Sequence, residues 1–256
     1  IYGDSAAIEA SFQEFAAKIE NKNNLFVTKQ LPLAGKTVGV NEKADFEATN
    51  IRIEKSAYIF DIKIENELIT NIRFALPGKH NLMNALMAFA MAKTYGVSDE
   101  DSKKALASFK GIRRRFSYQI QSENLVYIDD YAHHPTEINA VHQAVSELYP
   151  GEKVLAIFQP HLFSRTRDFA DDFAKSLSTF DSVLLLDIYP ARELPMEGIT
   201  SDWLLSKMTN FDKKVINKTE LIEAVLASDA TVFVSIGAGD IGALVPSIKK
   251  ALHEKI

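Results

Sequence analysis

The sequence predicts an α/β fold in which a mostly parallel sheet is flanked by helices. After residue 116, short apolar runs alternate with longer segments of helical periodicity. The runs are apolar throughout, which is typical of strands buried on both faces of a parallel sheet. Strands that alternate with helices favour right-handed crossovers between parallel neighbours. The predicted strands are 126–129, 154–158, 183–187, 214–216 and 232–236, and the predicted helices are 136–148, 167–177, 201–208, 219–226 and 240–252.

Composition narrows the class of protein. The 256 residues suffice for one large domain or two smaller ones, and 29 Lys and Arg against 34 Asp and Glu leave a net charge of −5. This charge offers no general surface for nucleic acid or membrane. No cysteine, secretion signal or long apolar run is found, so we expect a cytoplasmic protein. The chain starts at Ile1 within predicted structure, and we interpret it as part of a longer protein.

The first part of the chain has a different pattern. Residues 5–20 predict an amphipathic helix, and alternating apolar and polar residues at 51–74 predict a meander of antiparallel strands. The turn at residues 76–78 (Leu-Pro-Gly) separates the two patterns. We therefore predict two domains, 1–76 and 77–256.

One segment of this first part imitates a phosphate loop. Gly35, Lys36 and Thr37 form its last three positions, but the full motif needs a glycine five positions earlier, where Gln30 stands. The segment is better explained as a polar turn before a strand at 38–40.

Two amides open the first helix after the predicted boundary. Asn81 and Asn84 are three residues apart, so they lie on one face of a helix predicted over residues 81–95. Such a face could read the edge of a base, whereas Asn81 alone could be a simple helix cap.

The densest polar cluster is DDYAHHPTE at residues 129–137. It contains two carboxylates, a phenol and two imidazoles. A buried strand is predicted just before it, and Pro135 occupies the first position of a predicted helix. Open α/β sheets bind ligands at such strand ends. A capped surface loop explains any single residue of this cluster, but not the whole set.

A second polar segment, QPHLFSRTRD at residues 159–168, follows the next predicted strand. The arginine fork suits a carboxylate or phosphate. Arg167 and Asp168 could equally be a surface pair. Because it follows a strand of the same sheet, we expect this segment to emerge at the same sheet edge as the cluster at 129–137.

The turn GAGDIG at residues 237–242 has a glycine spacing known from dinucleotide sites. No acidic residue is placed to bind a ribose, so tight packing between strand and helix is the favoured explanation.

Four motifs occur together in this order: GKHN…N at 78–84, G…RRF at 111–116, DDYAHHPTE at 129–137 and QPH…RTRD at 159–168. Together they resemble the Mur ligases of peptidoglycan precursor synthesis, and the 237–242 turn extends the match. The resemblance implies that residues 1–76 are the remnant of a central ATP-binding domain, entered partway at Ile1–Asp4. It implies that residues 77–256 are a Rossmann-like, amino-acid-binding domain.

The resemblance also implies an activity: ATP-dependent addition of L-alanine to UDP-N-acetylmuramate through an acyl phosphate, with Mg²⁺ as a cofactor. The implied ATP contacts are Asn81, Asn84, Arg115 and Asp130. The implied L-alanine site is Tyr131, His133, His161 and Arg165. We expect these four side chains, drawn from two neighbouring strand ends, to face one crevice that binds a small zwitterion. At this sheet edge His133 could act as the catalytic base that deprotonates the amine.

Some features of the family are missing from the 256 residues. These are the phosphate loop, the Mg²⁺ ligands and the uridine-nucleotide domain, so we expect this chain alone to be inactive. Leu162 stands where some members carry a second basic residue, which leaves Arg165 alone to neutralise the substrate carboxylate. Two alternatives stay open: a ligase that reattaches recycled tripeptide to UDP-N-acetylmuramate, and a non-catalytic module that binds amino acid or nucleotide.

Overall fold

The computed structural model describes residues 5–54 and 57–255. It divides into two compact units between Lys110 and Gly111. The expected match of Ile1–Asp4 to a central domain lies outside the described residues. Within the described ranges no helix is both long and apolar enough to cross a bilayer.

The first unit is built on a five-stranded sheet of order β1-β2-β3-β4-β5. Strands β3, β4 and β5 run antiparallel, which confirms the predicted meander, whereas β1, β2 and β3 run parallel. The strands are β1 (Phe26–Thr28), β2 (Lys36–Val40), β3 (Phe46–Glu54), β4 (Ala57–Ile64) and β5 (Glu67–Phe74), and the helices are α1 (Ser5–Ala17), α2 (Lys79–Thr94) and α3 (Asp99–Ser108).

Two predictions for the first unit, the absence of a phosphate loop at residues 35–37 and the amphipathic first helix, can be compared with the structure. Lys36 and Thr37 lie within β2, and both the backbone N–H and the hydroxyl of Thr37 donate to Asp45, so the rejection of a phosphate loop is confirmed. The first helix is also confirmed, but Phe12 and Phe15 on its predicted apolar face are 64% and 67% exposed.

The division between units differs from the predicted boundary after residue 76. Leu82, Leu86 and Phe89 of α2 share one buried core with Phe60 and Ile72 of the first sheet. The Leu-Pro-Gly turn therefore reverses the chain within the first unit. Turn residues mark a change of direction, but burial decides which core a helix joins.

The second unit is built on a six-stranded sheet of order β10-β9-β8-β11-β7-β6. All neighbours pair in parallel except β6, which runs antiparallel to β7 and lies outside the predicted strand ranges. The strands are β6 (Ser117–Gln121), β7 (Val126–Asp130), β8 (Val154–Phe158), β9 (Ser182–Leu185), β10 (Asp212–Val215) and β11 (Val232–Ile236). The helices are α4 (Pro135–Leu148), α5 (Phe163–Asp168), α6 (Ala170–Leu177), α7 (Ser201–Lys207), α8 (Leu221–Ala227) and α9 (Ile241–Lys255).

The buried strands feed two cores, one on each face of this sheet. Ile128 belongs to the core that includes residues of α4, α6 and α7, whereas its neighbour Tyr127 belongs to the core that includes residues of α8 and α9. This alternation follows from the two-residue period of a strand. The predicted fold class, a mostly parallel sheet flanked by helices, is confirmed. The predicted helix over 167–177 starts earlier and is interrupted at Phe169.

Strand order corrects one expectation about the site. Strands β7 and β8 are not neighbours, because β11 lies between them and pairs with both. The crossover from β7 to β8 leaves room for one strand between them, and β11, the last strand of the chain, occupies that position. The carboxyl ends of β7, β11, β8 and β9 therefore share one edge of the sheet.

Candidate functional site

The loop between β7 and α4 orients His133. Its backbone N–H donates to Glu137 Oε2 at 2.8 Å, and its ring Nδ1 lies 2.9 Å from the carbonyl oxygen of Tyr131 and 3.4 Å from Glu137 Oε2. Both neighbours of Nδ1 are acceptors, so this nitrogen carries the proton. The other ring nitrogen, Nε2, is then the one that can accept a proton from a substrate.

His161 extends a row of rings that begins in this loop. The ring centroids of Tyr131 and His133 are 5.4 Å apart, and those of His133 and His161 are 6.1 Å apart. Tyr189 stacks on the other side of His161 at 5.7 Å. The structure thus brings together three of the four residues predicted to bind an amino acid.

Arg165, the fourth predicted residue, lies in α5, four residues after His161. His161 Nδ1 and Arg165 Nη1 are both buried, and neither has a hydrogen-bond partner among the described residues. Buried polar atoms are rarely left unsatisfied, so this pair fits a ligand that supplies acceptor oxygens. Burial lowers the pKa of His161, and the charges of Arg165 and His133 lower it further.

A buried network supports the Tyr131 end of the row. Arg114 Nε donates to Asp129 Oδ2 at 3.0 Å, and its Nη2 donates to the carbonyl oxygen of Gly237 at 2.6 Å. The second oxygen of Asp129 accepts from Ser235 Oγ at 2.8 Å. No individual role was predicted for Arg114 or Ser235. The arginines at 113–115 and the aspartates at 129–130 are visible in the sequence, but the sequence does not show which member of each set faces inward.

The predicted ATP contacts in the second unit have different surroundings. Asp130 is buried, and its two oxygens accept from the backbone N–H groups of Phe116 and Ala132 at 2.7 Å each. Burial raises the pKa of this carboxyl to about 6. Arg115 is half exposed, and its Nη1 lies 4.0 Å from Glu137. Asp130 thus binds the backbone just before β6 and in the loop after β7. Its contact with ATP stays a prediction.

The predicted ATP contacts in the first unit lie on α2. The side-chain amide of Asn81 is buried and donates to the carbonyl oxygen of Pro77 at 2.7 Å, whereas Asn84 is exposed on the same helix. The helix cap is Gly78 and not Asn81. The role of both amides toward ATP stays a prediction.

The glycine turn after β11 allows close packing. A Cβ on Gly237, which has φ +146°, would lie 2.8 Å from the carbonyl oxygen of Gln159. A Cβ on Gly242 would lie 2.6 Å from Arg114 Nη1. At Gly237 the obstacle is backbone, which leaves no room for a side chain, and at Gly242 the guanidinium of Arg114 would have to move. The interpretation as tight packing is confirmed.

The loop after β9 also reaches the site, although no site residue was predicted in it from the sequence. It carries Tyr189, which stacks on His161, and Glu193, which binds Ser164 in α5. The available signal was topological, because a long loop after a third parallel strand must emerge at the same sheet edge. Within the described residues no group of three or more acidic or histidine side chains could hold a metal ion.

Comparison with known proteins agrees with this arrangement. Residues 114–239 match the family model described as "Mur ligase, glutamate ligase domain", and residues 6–92 match the "Mur ligase middle domain". The chain belongs to the Mur ligase family.

Curated relatives within the Mur ligase family cover the whole chain. It is 67% identical over 256 residues to the UDP-N-acetylmuramate–L-alanine ligase of Flavobacterium johnsoniae, a match that spans 100% of this chain and 57% of the relative. It is 43% identical over 262 residues to the ligase of the same name from Cytophaga hutchinsonii, spanning 100% of this chain and 56% of that relative. The chain thus spans little more than half the length of these relatives.

Solved structures of Mur ligases share the fold. The UDP-N-acetylmuramate–alanine ligase of Thermotoga maritima superposes with a TM-score of 0.79 at 24% identity, covering 99% of this chain and 56% of that one. A murein peptide ligase of Psychrobacter arcticus superposes with a TM-score of 0.57 at 22% identity, covering 85% and 46%. At these identities the likeness concerns the fold alone.

Proposed function

We propose that this chain is part of an ATP-dependent ligase that joins L-alanine to UDP-N-acetylmuramate. The observation that carries the proposal is the pair of buried, unpartnered donors, His161 Nδ1 and Arg165 Nη1, beside the rings of Tyr131 and His133. The curated relatives named above bear this activity in their names. Because ATP is a reactant, we place the reaction in the cytoplasm.

The two unpartnered donors suit the carboxylate of a free amino acid. Arg165 supplies a permanent positive charge in a planar fork that matches two carboxylate oxygens. Burial lowers the pKa of His161, which favours the neutral ring, and in its Nδ1–H tautomer that ring donates a hydrogen bond without adding a second charge. The carboxylate would thus be held at one end of the site, and the amine would point away from Arg165.

His133 is placed to remove a proton from the amine. An ammonium group cannot attack, because its nitrogen has no lone pair until it loses a proton. The free Nε2 of His133 can accept that proton, while Glu137 and the carbonyl oxygen of Tyr131 hold Nδ1. The ring row fixes the distance from His133 to His161, and therefore from the base to the carboxylate site.

The chemistry that follows is acyl transfer. ATP gives its terminal phosphoryl group to the carboxylate of UDP-N-acetylmuramate, and ADP leaves. The deprotonated amine then attacks the acyl carbon, the bond from that carbon to the phosphate oxygen breaks, and inorganic phosphate leaves. We propose that Asn81, Asn84, Arg115 and Asp130 contribute to ATP binding.

The test is an assay of the full-length protein that contains this chain. Phosphate release and product mass would be measured with ATP, Mg²⁺ and UDP-N-acetylmuramate, and with L-alanine, glycine, L-serine or a tripeptide as amine. We expect L-alanine to be preferred. Preference for the tripeptide would indicate the recycling ligase, and no amine-dependent phosphate release would indicate a binding module. The 256 residues alone should release no phosphate, because they contain no phosphate loop.

A further inference from the structure

We propose that Glu193 is a positioning residue for the amino-acid site, because it fixes through Ser164 the start of the helix that carries Arg165. The inference rests on the proposed function and adds a residue from a third strand end. Glu193 lies in the loop after β9, and Arg165 follows β8. The two segments are far apart in sequence, so only the fold brings them together.

The contact between Glu193 and Ser164 uses both carboxylate oxygens. The backbone N–H of Ser164 donates to Oε2 at 2.9 Å, and the hydroxyl of Ser164 donates to Oε1 at 2.5 Å. These bonds lower the pKa of Glu193, and the backbone N–H of Phe163 and the charge of Arg165 lower it further. The N–H groups at the start of a helix lack partners within the helix, and Glu193 supplies the missing acceptor for α5.

A second set of contacts ties the same two loops together. The N–H of Leu162 donates to the carbonyl oxygen of Tyr189 at 2.9 Å, and the N–H of Tyr189 donates to that of Pro160 at 2.8 Å. Leu162 has φ +72°, a left-handed conformation that costs energy in a leucine. Such a conformation persists when its surroundings enforce it. The loop after β9 provides that constraint on both sides of His161.

Arg165 keeps a free donor although the carboxylate of Glu193 lies on the neighbouring loop. A carboxylate that paired with Arg165 would neutralise the site. Here each oxygen of Glu193 accepts a hydrogen bond from Ser164, and Arg165 Nη1 has no partner among the residues described. Glu193 thus holds the helix start in place while Arg165 remains available to the ligand carboxylate.

The experiment is a double-mutant cycle in the full-length enzyme with Glu193→Gln, Ser164→Ala and the two combined. Each single change should raise the KM for the amino acid about tenfold, with kcat and the KM for ATP within about twofold of wild type. Because Glu193 acts through Ser164, the double variant should be no worse than Glu193→Gln alone. Glu197→Gln, an exposed position on the same loop, is the matched control and should change nothing.

Two results would overturn the inference. An unchanged KM for the amino acid in Glu193→Gln would show that Glu193 does not position the amino-acid site. Effects on KM that multiply in the double variant would mean that Glu193 acts independently of Ser164. Ser164→Ala is a small change that tests the same contact if the Glu193 variant folds poorly. The variants are measured with whichever amine the wild type prefers, so a failure of the L-alanine proposal is seen separately.

A second measurement does not depend on turnover. The charge of Glu193 raises the pKa of His161. In an NMR titration of the histidine rings of the 256-residue chain, Glu193→Gln should therefore move the His161 midpoint to lower pH, and Glu197→Gln should not. An unmoved His161 midpoint would show that Glu193 is not held next to this site.

Discussion

The guanidinium Nε of Arg114 lies 3.0 Å from Oδ2 of Asp129, a carboxylate with 2% of its side chain exposed. The same guanidinium donates to the carbonyl oxygen of Gly237, and its carbon lies 5.2 Å from the centroid of the Tyr131 ring. One side chain therefore joins the ends of β7 and β11 and supports an aromatic residue of the candidate site.

Arg114→Gln should destabilise the second unit strongly. The change leaves the buried charge of Asp129 without its cation, which costs about 3 kcal/mol in the free energy of unfolding. Urea unfolding of the 256-residue chain measures this loss. Arg113→Gln, at the exposed neighbouring position, is the control. Equal losses in both variants would show that the pair with Asp129 contributes nothing specific.

His133→Asn should lower kcat of the full-length ligase about a hundredfold, because asparagine cannot take a proton from the amine. The KM for L-alanine should change little, since Arg165 still binds the carboxylate. His134→Asn is a matched control, because His134 caps α4 and packs against Phe169 outside the row of rings, and asparagine is a good capping residue. If His133→Asn keeps its turnover, His133 is not the base.

Arg165→Lys should raise the KM for L-alanine roughly tenfold to a hundredfold, because lysine keeps the charge but loses the planar fork. Steady-state kinetics with L-alanine varied at saturating ATP measures the effect. Arg167→Lys two residues later is the control, since Arg167 is half exposed and pairs with Asp168 at 2.7 Å on the surface. A similar change in KM for the two variants would argue against Arg165 as the carboxylate ligand.

His161 should make the stability of the chain depend on pH. Its pKa in the folded state lies below the ordinary value of 6.5, so its contribution to stability is present above pH 6.5 and is lost as pH falls through the lower folded value. His161→Gln removes this term. Between about pH 7.5 and about pH 5.5, the variant should therefore lose less stability than the wild type.

Urea unfolding at several pH values tests this expectation. From about pH 7.5 to about pH 5.5 the free energy of unfolding should fall less for His161→Gln than for the wild type, whatever the difference between the two proteins at neutral pH. His253→Gln, at an exposed position in α9, controls for the loss of a histidine. Parallel curves for wild type and His161→Gln would contradict the burial of a neutral ring at this site.

Much of this architecture could be predicted from local patterns. The apolar runs of β7, β8 and β11 and the Pro135 start of α4 are visible in the sequence, because a strand buried on both faces needs apolar residues at every position. The clusters at 129–137 and 159–168 could be assigned to strand ends for the same reason. The family resemblance also followed from the motifs alone.

What the sequence determined by itself is which elements form and which side chains could carry chemistry. The tertiary structure decided that β11 separates β7 from β8, that α2 belongs to the first core, and that Arg114, Tyr189 and Glu193 contact residues of the candidate site or of the helix that carries Arg165. The physical reason is the separation along the chain over which each kind of interaction acts. Periodicity and capping act over a few residues, whereas strand order, burial and the pairing of Glu193 with Ser164 depend on contacts between segments distant in sequence.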